Sequence, residues 1–110
     1  MPAETVSFDE FKKMDLRVAR VLSVKEHPRA DKLYVIQLDI GGETRQTVAG
    51  LKGYYSAEQL VGKAVVAITN LAPATLRGER SEGMILAAQQ GDKVVLLVPE
   101  GDLSAGSRVL

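Results

Sequence analysis

Between Leu16 and Ile40 the apolar residues recur at every second position, and that period admits strands and little else. In the first run Leu16, Val18, Leu22 and Val24 fall on one side, interrupted by Arg20, with Arg17, Ala19, Val21 and Ser23 on the other. His27-Pro28 ends this strand, since proline offers no amide to a ladder. From Leu33 to Ile40 a second strand alternates Tyr34, Ile36, Leu38 and Ile40 against Val35, Gln37 and Asp39. Gly41-Gly42 supplies a two-residue hairpin turn, and Thr44 to Ala49 returns as the third strand. Lys63 to Leu71 is apolar and β-branched, a well-buried fourth strand. Met84 to Ala88 reads as a fifth and Val94 to Val98 as a sixth, with Gly91-Asp92 turning between them. Gly50 to Tyr55 and Pro73 to Gly78 read as loops.

Two short helices interrupt the strands. Ser7 and Glu10 have the spacing of a capping box, which predicts a helix from Ser7 to Met14. Phe8 and Phe11 share one face of it and must pack on this subunit or on a partner. Ser56 and Gln59 repeat the box, opening a helix that Gly62 closes. A helix between the third and fourth strands of a five-stranded antiparallel meander predicts an OB-fold barrel. The chain is thus expected to be mostly β. Its core spans about residues 14–90, with a helix at 7–14 before it and a C-terminal extension at 91–110 after it.

At 110 residues there is room for one domain and one core, so an enzyme with an interdomain cleft is a poor fit. Cysteine is absent, and His27 is the only histidine. Thiol chemistry and a histidine zinc site within one chain are therefore not expected. Ser81-Glu82-Gly83 lacks the leading residues of a nucleophile elbow, and Gly50-Leu51-Lys52-Gly53 lacks the P-loop pattern. No cofactor or metal is expected. No run of 18 apolar residues occurs, and the start Met1-Pro2-Ala3-Glu4 has no secretory signal, so the expectation is a cytoplasmic protein without a membrane span.

The 14 basic and 14 acidic residues cancel, which argues against an indiscriminate nucleic-acid coat. The distribution is uneven: residues 11–32 hold seven basic and three acidic groups, and residues 1–10 carry three acids and no base. The two loops that flank the ligand face of an OB barrel are L12 and L45. Here L12 carries Arg29 and Lys32, and L45 carries Arg77 and Arg80. Those four cations are candidates for phosphate contact, and Asn70 and Ser81 for hydrogen bonds to sugar or phosphate oxygens. Asn70 also reads as satisfying a strand end, and Met84 as core. With only five aromatic residues and no Trp, a single-strand binder built on stacking platforms is disfavoured, and a folded, shape-read RNA suits the chain better.

Four stretches together carry a family resemblance: Asp15-Leu16-Arg17-Val18, His27-Pro28 to Lys32-Leu33, Asn70-Leu71-Ala72-Pro73, and Ser81-Glu82-Gly83-Met84-Ile85-Leu86-Ala87-Ala88. They resemble the tRNA-binding domain family, over about residues 8–110. That family includes stand-alone tRNA-binding proteins and the C-terminal domain of many methionyl-tRNA synthetases. The resemblance implies a barrel that reads the outer corner of tRNA by its structure, without catalysis. It also implies a homodimer, with the N-terminal helix and the C-terminal extension at the interface, and association with a methionyl-tRNA synthetase. Lys32 matches the family's basic position after the Pro loop, and Arg77 sits where a basic residue is usual. Asn70, Ser81 and Met84 match positions implicated in tRNA contact. Ala74 and Thr75 depart from the pattern, standing where a basic pair is commoner. A secretion-chaperone branch of the same superfamily, binding protein rather than RNA, ranks second.

Overall fold

The strand that opens at Leu16 pairs with one neighbour along its first half and with another along its second. The computed structural model describes residues 4–110; residues 1–3, part of the start read as lacking a secretory signal, lie outside the described residues. Helix α1 (Phe8–Lys12) precedes β1 (Leu16–Glu26), β2 (Tyr34–Asp39) and β3 (Thr44–Ala49). Helix α2 (Ala57–Leu60) leads into β4 (Ala64–Ile68), then β5 (Ala74–Leu76), β6 (Glu79–Ser81), β7 (Met84–Ile85), β8 (Ala87–Gln90) and β9 (Lys93–Leu96). One antiparallel sheet runs β3-β2-β1-β4-β7 and curls into a nearly closed barrel, while β5-β6 and β8-β9 are separate two-stranded ribbons. The expected mostly-β barrel with a helix before it and a helix between β3 and β4 is present.

Both capping boxes form as the spacing requires, each Ser accepting from the third helical amide and each Glu10 or Gln59 carboxyl or amide oxygen accepting from the cap amide. Leu60 of α2 is fully buried in the core, which at roughly 1.5–3 kcal/mol for a leucine anchors a four-residue helix that propensity alone would not hold. Tyr34, Ile36, Leu38 and Ile40 all enter the same core, as their alternation predicts.

The alternation in β1 does not run unbroken. Ala19 and Val21 face the core, but the register shifts between Val21 and Ser23. The extra residue of this bulge flips the parity, so Val24 packs on the core while Leu22 turns out to 46% exposure. Val18 is buried too, beneath no predicted element. It sits where the C-terminal tail returns: the Val18 amide donates to Ser107 O, Gly106 N–H donates to Val18 O, and Arg17 bridges to Arg108. Gly41 and Gly106 meet back to back at this crossing, where a Cβ on either would lie 2.8 Å from the other's Cα. Core packing continues past residue 90, since Leu96 is buried in the same cluster.

Two more expectations are corrected. The loop expected over Pro73 to Gly78 is largely the β5-β6 ribbon, turned by Arg77 (φ 52°) and Gly78 (φ 90°), the paired positive φ of a type I′ turn. The fifth strand expected over Met84 to Ala88 breaks at Leu86, whose amide donates to Val66 O while its own carbonyl accepts from Leu97 N–H. Met84 and Ile85 stay on the barrel, and Ala87 onward leaves it to pair with β9.

Candidate nucleic-acid interface

The barrel closes between β3 and the segment Ser81-Glu82-Gly83. The Ser81 hydroxyl accepts from the Val48 amide (3.0 Å) and donates to Gly83 O (3.2 Å). Thr47 Oγ1 donates to Gly83 O as well (3.1 Å), and the Glu82 amide donates to Gln46 O (2.8 Å). Gly83 has φ 153°, and a Cβ there would lie 2.7 Å from Ile68 O, so no other residue fits this crossing of β4. Ser81 is buried and its polar capacity is spent inside the chain. The structure thus separates it from the exposed candidates.

Asn70 is likewise engaged within the chain. Its Oδ1 accepts from the Asp15 amide (2.8 Å) and its Nδ2 donates to Lys13 O (2.6 Å), clamping the end of α1 to the start of L45. Thr69 completes the clamp, its hydroxyl donating to the Asp15 carboxylate at 2.6 Å. Hydrogen bonds from Arg17 and then Thr69 hold the Asp15 carboxyl below the ordinary aspartate range. Met84 is half exposed and pairs in register with Ile68, at the same end of the barrel. A surface hollow of about 450 Å³ lies there, lined among others by Val6, Met14, Ile68, Asn70 and Leu71.

The other end of β1 is built differently. His27 is buried between L12 and the β5-β6 ribbon. Its Nδ1 faces the Arg29 amide at 2.9 Å, and because that N–H can only donate, Nδ1 accepts. The proton therefore sits on Nε2, which donates to Leu76 O at 2.8 Å, 49 residues away in sequence. One neutral imidazole thus fastens the tip of the ribbon to L12. Around it, Arg29, Asp31, Lys32, Leu33 and Arg77 line a concavity of about 360 Å³. The Arg29 guanidinium reaches the ribbon turn, 3.3 Å from where a Gly78 Cβ would stand. Arg29, Lys32 and Arg77 are all exposed, and none takes part in the four ion pairs found among the described residues.

Arg80 lies on the same ribbon but is paired with Glu82 at 3.2 Å. Lys52, beside L12, is bonded to Glu26, which raises its pKa above the ordinary lysine value. Three of the seven candidates therefore meet at one concavity. Arg80 does not line it and is paired with Glu82, Asn70 and Met84 stand at the far end of β1, and Ser81 forms the seam. Sequence reasoning missed His27 as a fastener, because a lone histidine before a proline gives no hint of a carbonyl 49 residues on. It also missed Gln46 and Thr47 in the seam, since nothing local in the third strand marks the segment they would meet. Among the described residues no three His, Asp or Glu side chains gather as a metal site, and no helix is long and apolar enough to cross a membrane.

A five-stranded antiparallel barrel with a helix between its third and fourth strands belongs with the OB-type folds. Residues 16–108 match the family described as "Putative tRNA binding domain", and the chain belongs to that family. It is 54% identical over 106 residues to a methionine–tRNA ligase of Thermococcus kodakarensis, a match covering 96% of this chain and 14% of that protein. The ligase of Pyrococcus furiosus is 52% identical over 104 residues, covering 94% of this chain and again 14% of the relative. The chain thus spans about a seventh of the length of these relatives. Among solved structures, a MetRS-related protein from Pyrococcus horikoshii superposes with TM-score 0.91 at 32% identity, covering 98% of this chain and 100% of its own. The chaperone CsaA of Bacillus anthracis follows at TM-score 0.87 and 28% identity, covering 97% and 100%.

Proposed function

We propose that the chain is a non-catalytic module that binds folded tRNA by its shape. The observation that carries this reading is the concavity where Arg29 and Lys32 from L12 meet Arg77 from L45, three cations without acidic partners on a backbone fastened by His27. Unpaired cations held in a fixed spacing suit phosphates of a rigid RNA, and they carry no base code. Arg80 adds a fourth charge on the same ribbon when a phosphate displaces Glu82. Asn70 and Ser81 act on the RNA by setting the course of L45, and Met84 offers an apolar contact at the other end. The chain works in the cytoplasm, as part of a methionyl-tRNA synthetase or beside one.

The module acts as a homodimer. Val6, Met14 and Leu71 are exposed around one hollow and Phe8 of α1 is 72% exposed, apolar area that a second copy would cover. Leu97 and Val98 of the C-terminal extension are further exposed apolar residues that a second copy would cover. Two copies of the basic concavity would raise the effective affinity where one tRNA engages both.

The test is a titration against folded tRNA at two salt concentrations, with heat-denatured tRNA and a short unstructured RNA as controls. Saturable, salt-sensitive binding to folded tRNA alone is the expected result. Equal binding to all three RNAs would sink the shape-reading idea. The second reading, a protein-binding chaperone, is favoured by the likeness to CsaA and by the same apolar surface. It predicts capture of unfolded polypeptide that Lys32→Ala leaves unchanged.

A further inference from the structure

The basic concavity does not end at Lys32. A second hollow of about 500 Å³, lined by Lys32, Gly50, Gly53, Tyr54 and Asp92, shares Lys32 with it. A third of about 610 Å³ continues from Gly53, Tyr54 and Asp92 onto the β8-β9 ribbon, where Gln90, Lys93 and Val95 line it. Together they make one channel from the ribbon tip at Arg77 to the hairpin at Lys93, with Tyr54 at its middle.

Tyr54 differs from the chain's other two tyrosines. Tyr34 is buried and its hydroxyl donates to Tyr55 O, while the Tyr55 hydroxyl accepts from the Leu96 amide (3.1 Å), so both are committed to the barrel. Tyr54 is 45% exposed and only its amide is tied down, to Leu51 O. The glycines around it serve no packing purpose within the chain. A Cβ on Gly53 would meet nothing within 4 Å, and one on Gly50 only Leu33 Cδ2 at 3.9 Å. Neither has the positive φ that demands glycine. What their missing side chains do provide is open space beside an exposed ring.

We propose that this channel seats one unpaired nucleotide of the bound RNA, its base stacked on Tyr54 and its flanking phosphates on Lys32 and Lys93. This rests on the tRNA-binding reading and extends it, since that reading uses only the cations at the L12 end. A base has a π-face whatever its identity, so one aromatic platform holds it without reading sequence. Asp92, an acceptor only when ionised, offers a partner to base N–H groups rather than to phosphate. Charge continuity through Lys32 favours a nucleotide over an apolar peptide side chain.

The experiment measures binding of folded tRNA and of a blunt, fully paired RNA duplex to the wild-type chain and to Tyr54→Phe, Tyr54→Ala and Tyr54→Leu. Tyr54→Phe keeps the ring and should stay within about twofold for tRNA, whereas Tyr54→Ala should lose roughly 5- to 150-fold. Tyr54→Leu keeps apolar bulk without the ring and should lose as much, which guards against a folding defect in the alanine variant. Duplex binding should be the same for all four proteins, since it presents no unpaired base. Wild-type affinity for tRNA in both Tyr54→Ala and Tyr54→Leu would overturn the proposal and leave the tRNA reading intact. Equal losses on tRNA and duplex would overturn it too. Failure of the wild-type chain to bind folded tRNA would overturn both.

Discussion

The two ends of β1 use similar residues to opposite effect. At the Leu16 end, polar groups are consumed by the chain: Asp15 by Arg17 and Thr69, Asn70 by Lys13 and Asp15, and Arg45 by the Thr69 carbonyl and Glu43. What remains exposed there combines apolar Phe8, Met14 and Leu71 with the charged Glu10, Lys12 and Lys13. At the His27 end, the backbone is the part that is tied down, and Arg29, Lys32 and Arg77 are left without acidic partners. A charge paired in the free protein must give up its partner before it can meet a phosphate, whereas an unpaired one need only shed water. The Leu16 end is therefore fastened through its side chains and the His27 end through its backbone.

Both ends hang from the seam at Gly83, and breaking it should have the largest effect. Gly83→Ala sets a methyl against Ile68 O and should cost about 3 kcal/mol, seen as a fall in the thermal midpoint of roughly 10–20 °C. A midpoint within two or three degrees of wild type would show the seam to be less decisive than its geometry suggests.

Next comes the contrast in charge. Replacing Arg29, Lys32 and Arg77 together with Ala should flatten the dependence of log affinity on log salt by about one unit or less per cation, with melting unchanged. Removing Arg17 and Arg45 instead should lower stability while altering that slope little, because both are already engaged inside the chain. Equal slopes for the two variants would erase the difference drawn between the ends.

His27→Ala asks whether the fastening matters separately from the charges. It removes the donor to Leu76 O and the acceptor for Arg29 N–H, a loss of roughly 1–3 kcal/mol in stability. Binding should weaken several-fold while the salt slope persists, since the cations remain but their spacing loosens. An unchanged affinity would mean the RNA organises the loops itself.

The smallest effect is expected at Asp15. Its carboxyl is held below the ordinary aspartate range by Arg17 and Thr69, so the ionised form stabilises the folded chain. That contribution is present above the unfolded-state pKa and is lost as pH falls through the lower folded value. Asp15→Asn should therefore melt slightly below wild type near neutrality, and the two proteins should converge in strong acid. A gap that widens in acid would contradict this sign.

Parts of this arrangement are legible in the sequence, and others are not. Both capping boxes, the Gly41-Gly42 turn and the inward face of β2 follow from residues three apart or fewer, where the backbone fixes the geometry. The turn at Arg77-Gly78 looks like loop in the sequence because arginine at positive φ costs energy and is not the usual Asn or Gly of a tight hairpin. The bulge at Val21–Ser23 leaves no mark in an alternating run, since one extra residue looks like a change of face. The meeting of Arg29, Lys32 and Arg77 was anticipated from their places on the two loops of an OB barrel. The internal use of Asn70 was open as a strand-end reading, and that of Ser81 was not anticipated.

Local patterning by itself determined that this chain makes a barrel of short strands with two capped helical turns, and that Arg29, Lys32, Arg77 and Arg80 stand on two of its loops. Hydrophobic period and capping act over a few residues, so one sequence suffices to read them. Only the tertiary structure decided which polar groups are spent and which are free. That choice depends on partners such as Asp15 with Asn70, or His27 with Leu76, which lie about fifty residues apart in the chain and within 3 Å in space.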